Sequence, residues 1–242
     1  MFGAARRIEK MQELLTYGIK PILLDITNEE SIVACINHIL TEAGGIDILV
    51  NNAGFGFYGA IEDVSMEDAR YQLEVNVFGA MRLTQLVLPK MRENKYGKIV
   101  NISSVGGKTV FPLGGWYHAS KFALEALSDS MRNEVRDFGI DVIVIEPGAI
   151  QSEWGNIAFD GLLKVSGNTA YRDLTAKTHK VFSQLSGNLP QPIVIAIIIK
   201  KAIEAKNPKT RYWGGKMASA VLLMARILPD KLMDKLIMRQ LK

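Results

Sequence analysis

The chain alternates short, almost wholly apolar runs with longer stretches of amphipathic periodicity, and that alternation leaves few folds open. Pro21-Ile22-Leu23-Leu24, Ile46 to Val50, Lys98 to Ile102 and Asp141 to Ile145 read as strands, with Thr210 to Trp213 as a last short one. Asn28 to Ala43, Met66 to Arg92 and Trp116 to Phe138 carry helical periodicity. Gly79 and Pro89 are possible interruptions of the second stretch, and Gly139 is a natural C-cap for the third. Strands such as Ile46-Asp47-Ile48-Leu49-Val50 and Val142-Ile143-Val144-Ile145 are apolar on both sides, as strands buried on both faces must be. The pattern predicts an α/β fold: a doubly wound parallel sheet, Rossmann-like, in three layers α/β/α. Ligands of such sheets sit at the carboxyl ends of the strands. That singles out Asp25, Asn51 to Gly54, Ser103-Ser104 and Pro147-Gly148.

Composition removes other classes. A chain of 242 residues suits one domain, with 151–187 as a substrate-lid region and 216–242 as a helical tail. One cysteine, Cys35, rules out an intramolecular disulfide and a cysteine-rich zinc module, and the three histidines have no ligand spacing, so no metal is expected. No apolar run is long enough to span a bilayer, and the first residues do not read as a signal peptide, so a reducing, cytoplasmic setting is expected. Residues 200–242 hold 11 Lys and Arg against 3 Asp and Glu, although the whole chain is only +4. The basic tail lacks interleaved aromatics or a helix-turn-helix pattern, which argues against nucleic acid.

Ser104, Tyr117 and Lys121 form the constellation with the most chemistry. Tyr117 and Lys121 lie four residues apart on a predicted helix and so share a face. A free phenol, with a pKa of about 10, is a poor base at neutral pH, and a neighbouring ammonium lowers that value. The pair becomes a proton donor and acceptor for an alcohol or carbonyl, and the Ser104 hydroxyl, just past a strand, can hold the substrate oxygen.

In this order, and at strand ends, the segments Asp25-Ile26-Thr27, Leu49-Val50-Asn51-Asn52-Ala53-Gly54, Asn76-Val77-Phe78-Gly79, Gly97 to Ser104, Tyr117-His118-Ala119-Ser120-Lys121 and Glu146-Pro147-Gly148-Ala149-Ile150 resemble the short-chain dehydrogenase/reductase family. The stretch from Arg211 also looks like the branch of 17β-hydroxysteroid and retinol dehydrogenase-like enzymes. The resemblance implies that Tyr117 is general acid in reduction and base in oxidation. Lys121 lowers its pKa and bonds the nicotinamide ribose, Ser104 polarises the substrate oxygen, and Asn76 holds a water linking Lys121 to solvent. It places Asp25 and Ile26 at adenine, Asn51, Ala53 and Gly54 on the adenosine ribose side, and Pro147, Gly148 and Ile150 along the nicotinamide. It also implies a homodimer or homotetramer built through the helix carrying Tyr117 and its neighbour.

The family's opening strand, glycine-rich turn and helix are not found in this sequence. Gly3-Ala4-Ala5-Arg6-Arg7 matches the end of the family's second strand, so the chain reads as a truncated form in which the strand Ile46 to Val50 has an unpaired apolar edge. Where NAD enzymes of the fold carry an acid, Ala5 is followed by Arg6 and Arg7, which favour a 2′-phosphate; NADP(H) is expected over NAD(H). Phe55, Phe57, Tyr58, Val105, Phe111, Trp154 and Phe159 suggest an apolar pocket for a small lipophilic alcohol or carbonyl. The tail can cap that pocket, join a partner or rest on a membrane, and packing on the domain or a partner is favoured over membrane contact. Two further readings stand beside the oxidoreductase. One is a non-catalytic scaffold of the same fold that has lost the dinucleotide turn. The other, a sugar-nucleotide epimerase, is disfavoured by Asn51-Asn52-Ala53-Gly54.

Overall fold

The computed structural model describes residues 1–241, the side chains of residues 153, 154, 156, 157 and 186 apart. Its strands are β1 (Phe2–Ala5), β2 (Lys20–Leu23), β3 (Ile48–Asn51), β4 (Gly97–Ile102), β5 (Ile140–Pro147) and β6 (Arg211–Gly214). Its helices are α1 (Glu29–Ala43), α2 (Met66–Leu73), α3 (Gly79–Glu93), α4 (Gly115–Val135), α5 (Glu153–Ser166), α6 (Arg172–Leu185), α7 (Ile193–Glu204), α8 (Ala218–Ile227) and α9 (Asp230–Gln240). The strands pair in parallel throughout: β3-β4-β5-β6 form one sheet and β1-β2 a second.

Neighbouring residues on the central strands face opposite ways, and both sides are buried. Ile99 and Val142 join a core with Ile36, Leu83, Val87 and Met131. Val100 and Ile143, one residue on, join another with Ile195, Ile198 and Ala202 of α7. This is the three-layer arrangement expected of strands without a polar face. β3 ends its sheet, and Ile48 and Val50 are each more than a third exposed there, the unpaired apolar edge that the sequence pattern anticipates.

Local signals explain most boundaries. The Asn28 side chain accepts the Ser31 N–H and caps α1, which ends at Gly44 in the left-handed region. Gly139 is also left-handed (φ 70°), and a Cβ there would meet the Lys95 carbonyl oxygen at 2.4 Å. The helical stretch over Met66 to Arg92 breaks next to Gly79, one of its two possible interruptions, and not at Pro89. A π-helical turn spans Glu74–Phe78, whereas Pro89 lies inside α3. The wide turn directs Asn76 into the interior, a common use of such turns.

Candidate active site

Ser104 follows β4, and its Oγ accepts the Gly106 N–H at 3.0 Å as the chain enters a short 3-10 turn. α4 then returns across the sheet end, carrying Tyr117 and Lys121 one turn apart, both buried. The Ser104 hydroxyl is hydrogen-bonded with the Tyr117 phenol. The Lys121 Nζ donates to the Ile102 carbonyl, the last residue of β4, at 2.8 Å. The three residues singled out in the sequence therefore meet at one strand end. Asn76 braces the loop opposite. Its Oδ1 accepts the Phe55 N–H (3.0 Å), and its Nδ2 donates to the Phe55 carbonyl and to Ser120 Oγ (both 2.9 Å). A Cβ on Gly54 would stand 3.2 Å from Asn76 Oδ1 and 3.5 Å from Lys121 Nζ, so this glycine keeps the approach to the ammonium open.

Burial dominates the electrostatics. It raises the Tyr117 phenol to about 12, against the pull of the Ser104 hydrogen bond. It lowers Lys121 to about 8, against the attraction of Glu125 one turn along. The phenol therefore stands above its ordinary value rather than below it, because desolvation outweighs the Ser104 hydrogen bond. Tyr117 is therefore protonated at neutral pH.

These groups line a cavity of about 840 Å³. Gly54, Ser104, Val105, Tyr117, Lys121, Pro147, Gly148 and Ile150 lie on its wall, as expected. Other expected residues lie off that wall. Asn51 is buried, its Nδ2 bridging Thr84 Oγ1 and Asn101 Oδ1. The Asp25 Oδ1 accepts the Thr27 N–H and hydroxyl, which holds its carboxyl below the usual range. Ile26 is a core residue against Gly79, where a Cβ would come within 2.4 Å of it. Phe55 packs on Tyr71 (5.5 Å between ring centres) at the edge of the core. Ala53 is exposed in the loop after β3, and Arg6 and Arg7 follow β1, with Arg6 Nη1 donating to the Tyr71 hydroxyl at 2.9 Å. The Trp154 side chain lies outside the described residues. The wall is completed from α6, α8 and α9 by Phe182, stacked on Phe159 at 4.3 Å, and by Met224, Met233 and Ile237, so the tail caps the pocket, one of the places the sequence left open for it.

A nicotinamide dinucleotide fits the donors at its nicotinamide–ribose end. The Tyr117 hydroxyl and the Lys121 ammonium stand beside an open glycine approach, and Pro147, Gly148 and Ile150 offer a flat wall. Arg6 and Arg7, just after β1, do not line this cavity. The sequence holds no glycine-rich strand-to-helix turn for the pyrophosphate.

His118, which the sequence reading passed over, straps the loop on the pocket's rim. Its Nε2 accepts the Phe111 N–H (3.0 Å), so its Nδ1 carries the proton toward the Gly106 carbonyl (2.9 Å). A Cβ on Gly106 or on Gly114 would come within 2.9 Å of the ring. Burial lowers the pKa of this imidazole and keeps it neutral. The unfolded chain therefore takes up this proton first, at about pH 6.5. The stability that His118 contributes is present above that pH and is lost as pH falls toward the lower folded value. Melting wild type and His118→Asn from pH 8 to pH 5 should show a steeper acid decline in the wild type. Parallel curves would mean that His118 does not carry the term.

The pattern of the family described as "short chain dehydrogenase" matches residues 3–160. The chain is 33% identical over 218 residues to a 3-ketodihydrosphingosine reductase of Bacteroides thetaiotaomicron, covering 89% of this chain and 80% of the relative. It is 31% identical over 259 residues to an NADPH-dependent 3-dehydrocapnine reductase of Ornithobacterium rhinotracheale, covering 100% and 88%. Among solved structures, a short-chain dehydrogenase from Streptomyces avermitilis superposes with a TM-score of 0.81 at 32% identity, covering 97% of this chain and 85% of that one.

Proposed function

The chain belongs to the short-chain dehydrogenase family, and on that footing we propose that it is an NADP(H)-dependent oxidoreductase that reduces a lipophilic ketone or aldehyde to its alcohol. The observation that carries this reading is the meeting of Ser104, Tyr117 and Lys121 at one end of a largely apolar cavity. The nicotinamide, when bound, supplies the hydride. Ser104 orients the carbonyl oxygen, Tyr117 gives it the phenolic proton, and Lys121, an ammonium below about pH 8, bonds the ribose. Asn76 positions the loop that faces Lys121. A phenol with a pKa near 12 favours donation over abstraction, and both relatives are named as reductases, which supports the reducing direction. The looser likeness to the 17β-hydroxysteroid and retinol branch belongs to the same proposal. So does self-association through α3 and α4, where Phe78, just before α3, and Phe122 and Leu127 of α4 are exposed. A scaffold of the same fold would have no need of the complete Ser104, Tyr117 and Lys121 set.

The test is NADPH consumption against ketones of increasing chain length, with tryptophan quenching by NADPH and NADH beside it. A folded protein that neither binds NADPH nor reduces any of these ketones overturns the proposal. Cofactor choice rests on the arginines. Arg6→Ala should weaken NADPH binding about tenfold or more, the worth of a charge-assisted hydrogen bond to phosphate, and leave NADH binding nearly unchanged. An undiminished NADPH preference would remove Arg6 from that role.

A further inference from the structure

The α8–α9 pair has two faces. Inward, Val221, Met224, Met233 and Ile237 line the cavity. Outward, Leu223 and Ile227, one helical turn apart, are 58% and 64% exposed. The line continues through Ser219, whose Oγ accepts the indole N–H of Trp213 at 3.0 Å, to the Trp213 ring, itself 48% exposed. Leu232 and Met238 are exposed on α9. Arg226, Lys231, Lys235 and Arg239 stand exposed among them, with only Asp230 and Asp234 as acids on the two helices. Contiguous apolar exposure of this kind marks a contact surface.

We propose that α8 and α9 dock on an anionic lipid surface, with the Trp213–Leu223–Ile227 line in the acyl boundary and the basic side chains on the headgroups. Charge decides the occupant. Residues 200–242 carry 11 basic residues against 3 acids, so a second copy of this face would set like charge on like. Nucleic acid would satisfy the charge but leave Leu223 and Ile227 unpaired with anything apolar. A membrane interface satisfies both, and tryptophan favours that boundary. The contact is peripheral: among the described residues, no helix is long and apolar enough to cross a membrane. Because the same helices wall the cavity, docking brings its apolar interior beside the lipid.

The experiment is co-sedimentation of the whole chain, without cofactor, with vesicles of phosphatidylcholine alone and of phosphatidylcholine with phosphatidylglycerol. Binding should require the anionic lipid and weaken with added salt. Lys231→Glu/Lys235→Glu should weaken it at least tenfold. Leu223→Ser/Ile227→Ser, which leaves charge unchanged, should weaken it comparably, with the circular dichroism spectrum and Tm preserved. Binding that ignores the Leu223→Ser/Ile227→Ser change is charge attraction alone and overturns the proposal, as does absence of binding. Light scattering covers the remaining occupant: if Leu223→Ser/Ile227→Ser splits a dimer, a second copy covers this face. No outcome depends on NADPH turnover, so the docking surface and the enzymatic reading stand or fall separately.

Discussion

Replacing Tyr117 by phenylalanine should lower kcat for ketone reduction about a thousandfold and leave NADPH binding nearly unchanged, a loss within the usual range for a general acid. Phenylalanine keeps the ring that packs 5.8 Å from Tyr58 and keeps the shape of the core around Leu113 and Leu162. It removes only the hydroxyl that meets Ser104. Lys121 retains its bond to Ile102, and the wall at Pro147 and Gly148 is untouched. The loss should therefore fall on kcat rather than on the KM for NADPH. The pH profile separates the two partners. Burial sets Lys121 near 8 in the free protein, so kcat/KM for NADPH should decline as pH rises through that value, in the variant as in the wild type. Retention of kcat within about tenfold would show that another group, or water, delivers the proton.

The sheet and the meeting of Ser104, Tyr117 and Lys121 were legible in the sequence because both rest on local signals. Short apolar runs bounded by turn residues suit doubly covered strands, and residues four apart on a helix share a face. What escaped depends on long-range packing. Ile193 to Ile199 is a β-branched run with the composition of a strand, yet it forms α7, because Ile195, Ile198 and Ile199 at helical spacing meet Val100 and Ile143 on the sheet. Ile26 and Asn51 sit where a cofactor contact is expected but turn their side chains to the core and to Asn101. Nothing local distinguishes a residue beside the ligand from one beneath it. Glu125 and Arg211 carry no motif at all, although they make the most heavily charged contact in the interior.

That contact gives the largest expected effect on stability. Arg211, the first residue of β6, reaches Glu125 and Asp129 on α4 at 2.8 Å each and Glu146 on β5 at 3.3 Å. Lys108 meets the same Glu125 oxygen, Oε2, also at 2.8 Å. Both glutamates are buried. Removing the guanidinium strands two buried carboxyl groups, which typically costs about 3–5 kcal/mol. Arg211→Met should sit near the low end, because Lys108 still faces Glu125. The cost should depend on pH in a direction that identifies its source. Burial and Glu125 raise Glu146 to about 7 even with Arg211 and Lys108 opposing them. The folded state therefore holds a proton that the unfolded chain releases near 4.5, so this group's contribution is fully present below that pH and is lost as pH rises through about 7. Without Arg211 the folded value climbs further and the loss deepens. Urea unfolding should show Arg211→Met to be more damaging at pH 8 than at pH 6, and Glu125→Gln/Arg211→Met should recover part of the difference. An equal cost at both pH values would place the damage in lost packing of the arginine stem. Glu146 immediately precedes Pro147-Gly148 on the cavity wall, and β6 leads directly into α8. The same substitution should therefore raise the KM for ketone, because the ion cluster ties together β5 and β6, whose ends lead to Pro147-Gly148 and α8 on the cavity wall.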